Sequence, residues 1–270
     1  MLLSIEGEEA TGKTVLAYTA PLPIVGFSFD LGSERALYGT QFEKHFKGLD
    51  IQTNKYTGKN TIGMLGKDIT IWELPQPVQL DSNMIAGCLE QWAFFIGKVG
   101  EALQDTKVRT LVVDTMTLAR RLKADAYLQE LQEKGKNDEK PRKQLQQIEY
   151  GHANDSIRNI YTACQGLGKN LIAIHHLTDE YKPGILPNGT AGSVASGKRI
   201  LEGLAQTYRY VDVAIRMEKV GKKLTGVVNK CGYNLDLEGE RMDDLTWDRL
   251  VNRVMLSLED RIKLGTRNGH

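Results

Sequence analysis

The chain has 270 residues, of which 41% are hydrophobic and 26% are charged, and its 35 basic and 34 acidic side chains give a formal net charge of +1. This composition is typical of a soluble globular protein with room for one large α/β domain, or for a domain with a small appendage. The balanced charge excludes a basic coat for nonspecific nucleic-acid binding, so any such binding needs a local patch.

Cysteine usage and the apolar runs bear on the compartment. Cys88, Cys164 and Cys231 form no C-x-x-C pair and predict reduced thiols. The N-terminal residues lack the basic and apolar regions of a signal peptide, and no stretch approaches the roughly 18 apolar residues of a membrane span. We therefore expect a cytoplasmic protein, in a bacterial or phage-infected cell, with no membrane partner.

Short apolar runs alternate with helical patterns through most of the chain. Strands are predicted over residues 2–5, 24–29, 69–74, 110–113 and 171–174, and helices over residues 13–19 and 83–103. Later in the chain, a half-exposed strand over 208–217 turns at 220–223 into an antiparallel partner over 224–230, and a terminal helix is predicted over 246–264. This order predicts an α/β fold with a mostly parallel central sheet, helices on both faces and a late antiparallel hairpin.

No internal repeat or clean domain boundary interrupts this order. We predict a single domain over residues 1–270, with a core to about residue 235 and a C-terminal helical extension from about 240 to 270. Residues 133–143 (EKGKNDEKPRK) are dense in charge and predict an exposed excursion between two helices. Residues 182–198 (KPGILPNGTAGSVASGK) show no periodicity, and a loop this long is usually functional or disordered.

The most specific motif is GEEATGKT, which follows the first strand and opens the first helix. Its glycines allow successive N–H groups to converge on a phosphate, its lysine attracts the β and γ phosphates, and its threonine hydroxyl binds Mg²⁺. ATP and Mg²⁺ are therefore the expected ligands. The predicted nucleotide-binding residues are Gly7, Glu8, Glu9, Ala10, Thr11, Gly12, Lys13, Thr14 and Val15.

Acidic residues at strand ends provide the partners that such a loop requires. Asp114 ends the strand TLVV and is predicted to organise the metal together with Thr14. Asp30 and Glu34 follow the second strand, at the carboxyl edge where ligands bind in such sheets. Either carboxylate is a candidate for the base that orients the attacking water, and we favour Glu34.

The fifth predicted strand ends in two histidines, His175 and His176, whose side chains must face opposite ways. We favour His176 as the residue that faces the nucleotide. In the segment that follows, Lys182, Lys198 and Arg199 are candidates for contacts with DNA phosphates.

Taken together, these motifs resemble those of the RecA-type ATPases. GEEATGKT looks like their phosphate loop, Glu34-Arg35-Ala36-Leu37 is similar to their Glu-x-Ala-Leu, whose Glu is the hydrolytic base, and Asp114-Thr115 resembles their Asp-Ser. The strand ending in His175-His176 looks like the one whose terminal polar residue senses the γ phosphate before a glycine-rich DNA-binding loop. The ordering spans roughly residues 1–235 and looks most like the compact RecA-like ATPases of phage recombination modules.

The resemblance implies a DNA recombination protein that hydrolyses ATP, with stimulation by DNA. Such a protein assembles on single-stranded DNA for annealing or strand exchange, as a homo-oligomeric ring or filament with nucleotide at subunit interfaces, often beside a single-strand-binding protein. Related helicases use Lys-x-Arg to reach a neighbour's nucleotide, and Lys230 is the one matching residue here. A RecA-like replicative helicase, a helicase loader and a non-hydrolysing ATP-dependent assembly protein remain alternatives.

Overall fold

The computed structural model describes residues 1–39, 42–58, 66–79, 84–135, 142–186, 190–221 and 223–254. Within them the strands are β1 (Leu2–Gly7), β2 (Ile24–Ser28), β3 (Ile51–Lys55), β4 (Ile69–Glu73), β5 (Thr110–Asp114), β6 (Asn170–His175), β7 (Leu177–Ile185), β8 (Ala191–Leu201), β9 (Val213–Val220), β10 (Lys223–Cys231) and β11 (Arg241–Asp243). The α-helices are α1 (Lys13–Tyr18), α2 (Ser33–Tyr38), α3 (Cys88–Gln104), α4 (Met116–Lys134), α5 (Tyr150–Gly166), α6 (Thr207–Tyr210) and α7 (Trp247–Val254).

Nine of these strands form one sheet in the order β11-β10-β9-β1-β6-β5-β2-β4-β3. Strands β1 to β6 and β9 run parallel, while β10 and β11 are antiparallel to their neighbours. The parallel strands bring the carboxyl ends of β1, β6, β5 and β2 to one edge, where ligands bind in such sheets. The predicted fold class is confirmed: a mostly parallel sheet flanked by helices, with the late antiparallel hairpin formed by β9 and β10.

Alternating residues of the strands face two separate cores, one on each side of the sheet. Leu3 and Ile5 of β1 pack with α1, α2 and α7 on one face, whereas Leu2 packs with α3, α4 and α5 on the other. Because both faces are covered by helices, the central parallel strands are mostly apolar, as their sequences indicated.

Two segments differ from the sequence-based expectation. The strand predicted over 208–217 begins only at Val213, because Thr207–Tyr210 form the short helix α6. The segment predicted as a long irregular loop over 182–198 is instead an antiparallel two-stranded ribbon of β7 and β8, separate from the main sheet. Strands β3 and β11 were not predicted at all.

The predicted terminal helix and the predicted charged excursion each include residues that the structure does not describe. Helix α7 spans Trp247–Val254 and packs its apolar side chains into the core beside α1, and the remainder of the predicted helix lies outside the described part of the chain. Of the excursion over 133–143, residues 136–141 are likewise not described. None of the described helices is long and apolar enough to cross a membrane.

Candidate nucleotide-binding site

The phosphate loop joins β1 to α1, and two of its glycines are required by its shape. Gly7 has φ of 154°, and a Cβ there would lie 2.4 Å from the carbonyl oxygen of Met217 on the neighbouring strand β9. Gly12 has φ of 83°, and its Cβ would lie 2.6 Å from Leu224 Cδ1. Side chains rarely adopt these backbone angles and would not fit here, which explains why the motif needs glycine at both positions.

Lys13 lies at the centre of this loop and is largely buried. Its Nζ donates to the carbonyl oxygens of Gly7 (2.8 Å) and Glu8 (2.6 Å). Burial lowers the pKa of Lys13, while Asp114, Asp30 and the two glutamates of the loop act to raise it. The ammonium group of Lys13 is therefore surrounded by several carboxylates. An anionic ligand that brings its own cation would suit this arrangement, because the ligand would pair with Lys13 and its cation with the carboxylates.

Thr14 and Asp114 meet at the carboxyl edge of the sheet. The Thr14 hydroxyl donates to Asp114 Oδ2 at 2.7 Å, across a separation of 100 residues in the chain. Burial, with Asp30 nearby, raises the pKa of Asp114 to about 7, although the Thr14 hydrogen bond and Lys13 act to lower it. The cap of α4 is Thr115, whose hydroxyl accepts from the Leu118 N–H, so Asp114 itself stays directed toward Thr14.

These groups line a cleft of about 720 Å³. It is lined by most of the phosphate loop, from Glu9 to Val15, and by Asp30, Gly32, Arg35, Ala36, Phe42, Asp114, His176, Lys219 and Leu224. Both carboxylates considered as the base are exposed, but Asp30 is among the described lining residues and Glu34, on α2, is not. The cleft thus combines a phosphate-binding loop, a buried carboxylate, a second acid and a histidine.

A profile of the AAA_24 family, described as an AAA domain, matches residues 2–186, which include the phosphate loop, Asp114 and both histidines. The chain belongs to the AAA_24 family. No curated protein sequence matches this AAA domain. Among solved structures, the chain is similar to one titled "Crystal structure of the RadB recombinase", at 11% identity and a TM-score of 0.42, over 90% of this chain and 85% of that one.

The two histidines of the AAA domain differ in burial, His175 as the last residue of β6 and His176 directly after it. His175 is fully buried, its Nε2 is 3.4 Å from Tyr161 Oη, and burial lowers its pKa to about 3. His176 lines the cleft, and its backbone N–H donates to Thr117 Oγ1 (3.1 Å) at the start of α4. Of the pair, only His176 is in a position to meet a ligand.

Lys230 and the three basic residues of the ribbon lie apart from the cleft lining. Lys230 Nζ donates to the carbonyl oxygens of Tyr208 (2.7 Å) and Val211 (2.6 Å), so it ties α6 to the start of β9. On the ribbon, Lys182 and Lys198 are exposed, and Lys182 lies 3.2 Å from Glu180. The Arg199 guanidinium donates to the carbonyl oxygen of Leu177 (2.8 Å).

A second cavity of about 470 Å³ adjoins the cleft on the other side of Gly12. Both spaces share Gly12, Val15, Phe42 and Leu224, and the second is also lined by Lys44, His45, Asp244, Leu245, Thr246, Asp248 and Arg249, among others. Its walls therefore combine apolar side chains next to the phosphate loop with charged groups farther out.

Sequence reasoning missed Arg35, Phe42 and Lys219 as lining residues. Lys219 reaches the cleft because β9 pairs in parallel with β1, with Gly7 opposite Met217, so that the residues after Met217 lie beside the phosphate loop. To predict Lys219 as a lining residue, one would need to know that β1 pairs with a strand more than 200 residues later in the chain. Local sequence patterns do not reveal such a pairing. Arg35 lies in the motif Glu34-Arg35-Ala36-Leu37, which predicted a role for Glu34 and none for Arg35.

Proposed function

We propose that this protein is a RecA-like P-loop ATPase of DNA recombination that binds ATP with Mg²⁺ and hydrolyses it while assembled on single-stranded DNA. One observation carries the nucleotide part: the Thr14 hydroxyl and the Asp114 carboxylate meet at 2.7 Å beside Lys13, at the mouth of a glycine-shaped loop. This is the set of groups that a nucleoside triphosphate with a divalent cation requires.

The donor set fits Mg²⁺. Thr14 and Asp114 offer oxygen atoms from two adjoining elements, and Mg²⁺ favours one or two protein oxygens with phosphates and water completing its shell. When bound, the ion would neutralise phosphate charge during transfer. Thr14 and Asp114 would hold it, and Lys13 would bind the β and γ phosphates.

The base and the γ-phosphate sensor are assigned from the cleft lining. Asp30 lines the cleft with Asp114 and Lys13, which favours it over Glu34, outside the lining, as the residue that orients the attacking water. His176 lies at the same edge, at the point where the chain enters the ribbon, which supports a role as the sensor of the γ phosphate. In the adjoining cavity, Phe42, Val15 and Leu224 suit the apolar faces of a nucleobase.

The DNA part of the proposal rests on the ribbon of β7 and β8. The ribbon leaves the sheet directly after His176 and presents Tyr181 and Ile185, which are 62% and 75% exposed, together with Lys182 and Lys198. Exposed aromatic and apolar side chains beside lysines suit single-stranded DNA, whose bases stack while its phosphates attract cations. We propose a homo-oligomer on the strand, with nucleotide between subunits and a single-strand-binding protein as a further partner.

The test is the linkage between the two ligands. Anisotropy of a labelled single-stranded oligonucleotide should give an affinity that rises about 5-fold to 150-fold with a non-hydrolysable ATP analogue and Mg²⁺, because coupled sites share one free energy. The same factor should appear in the affinity for the analogue when DNA is added. Equal DNA affinity with and without the analogue would remove the DNA part of the proposal and leave nucleotide binding intact.

A second candidate is a non-hydrolysing assembly protein in which ATP serves as a structural ligand. It is favoured by Lys230, the residue proposed to reach a neighbour's nucleotide, because its ammonium group already binds two backbone carbonyls. Single-turnover hydrolysis of radiolabelled ATP separates the two candidates. Release of phosphate within minutes, with DNA present, supports the enzyme, and ATP recovered unchanged supports the assembly protein.

A further inference from the structure

Glu6 is a buried carboxylate that the nucleotide-binding motif leaves unexplained. It immediately precedes Gly7 on β1, and its side chain is 1% exposed. Its oxygens accept from Arg216 Nε (2.8 Å), from Tyr208 Oη (2.9 Å) and from Asn229 Nδ2 (2.8 Å). A buried charge is tolerated only with such partners, so the position of Arg216 is set by the strand that ends in the phosphate loop.

Arg216 also contacts the ribbon. Its Nη2 lies 2.6 Å from Glu6 Oε1, which also accepts from Nε, and the same Nη2 donates to the carbonyl oxygen of Arg199 on β8 (3.2 Å). The planar fork of an arginine allows one side chain to hold a carboxylate and a carbonyl at the same time. Arg216 thereby joins β1, just before the phosphate loop, to the strand by which the chain leaves the ribbon.

A weaker contact joins the ribbon to the other side of Gly7. The Arg199 guanidinium lies 3.5 Å from Glu8 Oε1 and 3.5 Å from Asp179 Oδ1, and all three side chains are substantially exposed. Exposed pairs at such distances contribute little. Because the Glu6 carboxylate is buried and multiply hydrogen-bonded, the Arg216 bridge is the stronger of the two connections.

The start of the ribbon is attached to the metal side of the cleft. Thr117 follows Asp114 by three residues, accepts from the His176 N–H and donates to the carbonyl oxygen of Glu202 (2.8 Å). Glu202 in turn donates its N–H to the His176 carbonyl (2.9 Å). Among the described residues, the ribbon is therefore attached both beside Asp114 and beside Gly7, and the contacts beside Gly7 are made by charged side chains.

We propose that Arg216 is a positioning residue that transmits nucleotide binding at the phosphate loop to the ribbon, through Glu6 on one side and the Arg199 carbonyl on the other. The inference rests on the proposed function in that the cleft must take ATP with Mg²⁺. A change in the backbone around Gly7 alters the position of Glu6, which moves the guanidinium and with it β8. By linkage, a ligand of the ribbon changes nucleotide affinity through the same bridge.

The test is Arg216→Lys, with Arg241→Lys as the matched control. A lysine keeps the charge beside Glu6 but has no counterpart of Nε, so one ammonium group would have to replace both nitrogens that contact Glu6 and the donor to the Arg199 carbonyl. Arg241 lies on β11 and pairs with Glu218 of β9, the strand that also carries Arg216. Amide hydrogen exchange is measured in peptides covering residues 177–186 and 190–201, with and without a non-hydrolysable ATP analogue and Mg²⁺.

In the wild type and in Arg241→Lys, the analogue should change ribbon exchange by about threefold or more, as expected when binding alters local opening. In Arg216→Lys this response should be lost, while affinity for the analogue stays within about threefold of wild type. A merely structural role of Arg216 would not abolish the exchange response of the ribbon while leaving the affinity for the analogue unchanged. If Arg216→Lys fails to fold by circular dichroism, the uncharged pair Glu6→Gln with Arg216→Gln replaces it, with the same expected loss.

Three results would count against the inference. A full ribbon response in Arg216→Lys would overturn it, as would a wild type that binds the analogue with no change in ribbon exchange. The second result would leave the nucleotide site standing. A wild type that does not bind the analogue would refute the proposed function itself and the inference with it.

Discussion

Asp30 and Glu34 show a limit to how well the sequence alone identifies the individual residues of the candidate site. Thr14 and Asp114 were predictable because a motif and a strand end fix them, and the structure brings them to 2.7 Å. Which of Asp30 and Glu34 lines the cleft was not predictable from the sequence. It depends on a turn in which Leu31 has φ of 57° and Asp30 Oδ1 accepts the Gly32 N–H, and a left-handed leucine leaves no sequence signal.

Asp30→Asn should lower the turnover number for ATP by about 10²-fold to 10⁴-fold, the usual contribution of a positioned base, with little change in nucleotide affinity. Glu34→Gln is the matched control and should stay near wild type, because Glu34 is exposed outside the cleft lining. Steady-state phosphate release measures both. The reverse pattern, with Glu34→Gln inactive and Asp30→Asn active, would restore the assignment favoured by the sequence motif.

His175 makes a prediction about pH. Burial lowers its folded-state pKa from 6.5 to about 3, so below about pH 6.5 the unfolded chain binds a proton that the folded protein excludes. The stability present above pH 6.5 is therefore lost as the pH falls toward 3. Between about pH 7.5 and 5, this group should cost about 2 kcal/mol of the free energy of unfolding.

The check is urea unfolding of the wild type and of His175→Gln at both pH values. The variant lacks the titrating imidazole, so its free energy of unfolding should fall by about 2 kcal/mol less than that of the wild type over this range. Equal pH dependence in the two proteins would mean that His175 is not held neutral in the core.

At the scale of elements, the ribbon is the largest difference from the sequence-based expectation. Residues 182–198 contain glycine, serine and proline, and no period of two is visible in them. Two alanines of β8 lie opposite large side chains of β7, with Ala195 across from Tyr181 and Ala191 across from Ile185. A ribbon exposed on both faces has no buried side to impose alternation, so local pattern could not reveal it.

Tyr181→Ala should weaken binding of single-stranded DNA by about 5-fold to 150-fold, the loss expected from one stacked base. Its dependence on salt should not change. Lys182→Ala should instead reduce the slope of log affinity against log salt by about one, because it removes one phosphate contact.

Tyr233→Ala is the control, since Tyr233 is an exposed tyrosine that follows β10 and is not part of the ribbon. Anisotropy titrations at several salt concentrations measure all three variants. Wild-type affinity in Tyr181→Ala would show that the ribbon face does not stack on bases.

At the scale of the whole molecule, the alternation of strands and helices was sufficient to predict the class of sheet and the edge where the site lies. It could not predict the edge strand β3 or the packing of α7, because both depend on distant contacts. Trp247 shows this: it is fully buried beside α1, and its backbone N–H donates to Thr19 Oγ1 (2.9 Å), across a separation of 228 residues. The end of the described chain is thereby part of the core that supports the phosphate loop.

Trp247→Ala should therefore cost about 3–5 kcal/mol of the free energy of unfolding, the usual range for a buried tryptophan. Leu235→Ala, at an exposed apolar position, should change it by about 0.5 kcal/mol or less. Urea unfolding followed by circular dichroism gives both values. A small loss in Trp247→Ala would indicate that α7 is dispensable to the core.

The central claim is that the phosphate loop and Lys13 bind ATP for hydrolysis, and the steady-state ATPase rate tests this claim most directly. The wild type should release phosphate only with Mg²⁺ and faster with single-stranded DNA. Lys13→Ala should lose activity by about 10²-fold or more, because it removes the phosphate-binding cation. Lys67→Ala, which removes an exposed lysine paired with Asp50, should match the wild type. Equal ATPase activity in Lys13→Ala and the wild type would contradict the account.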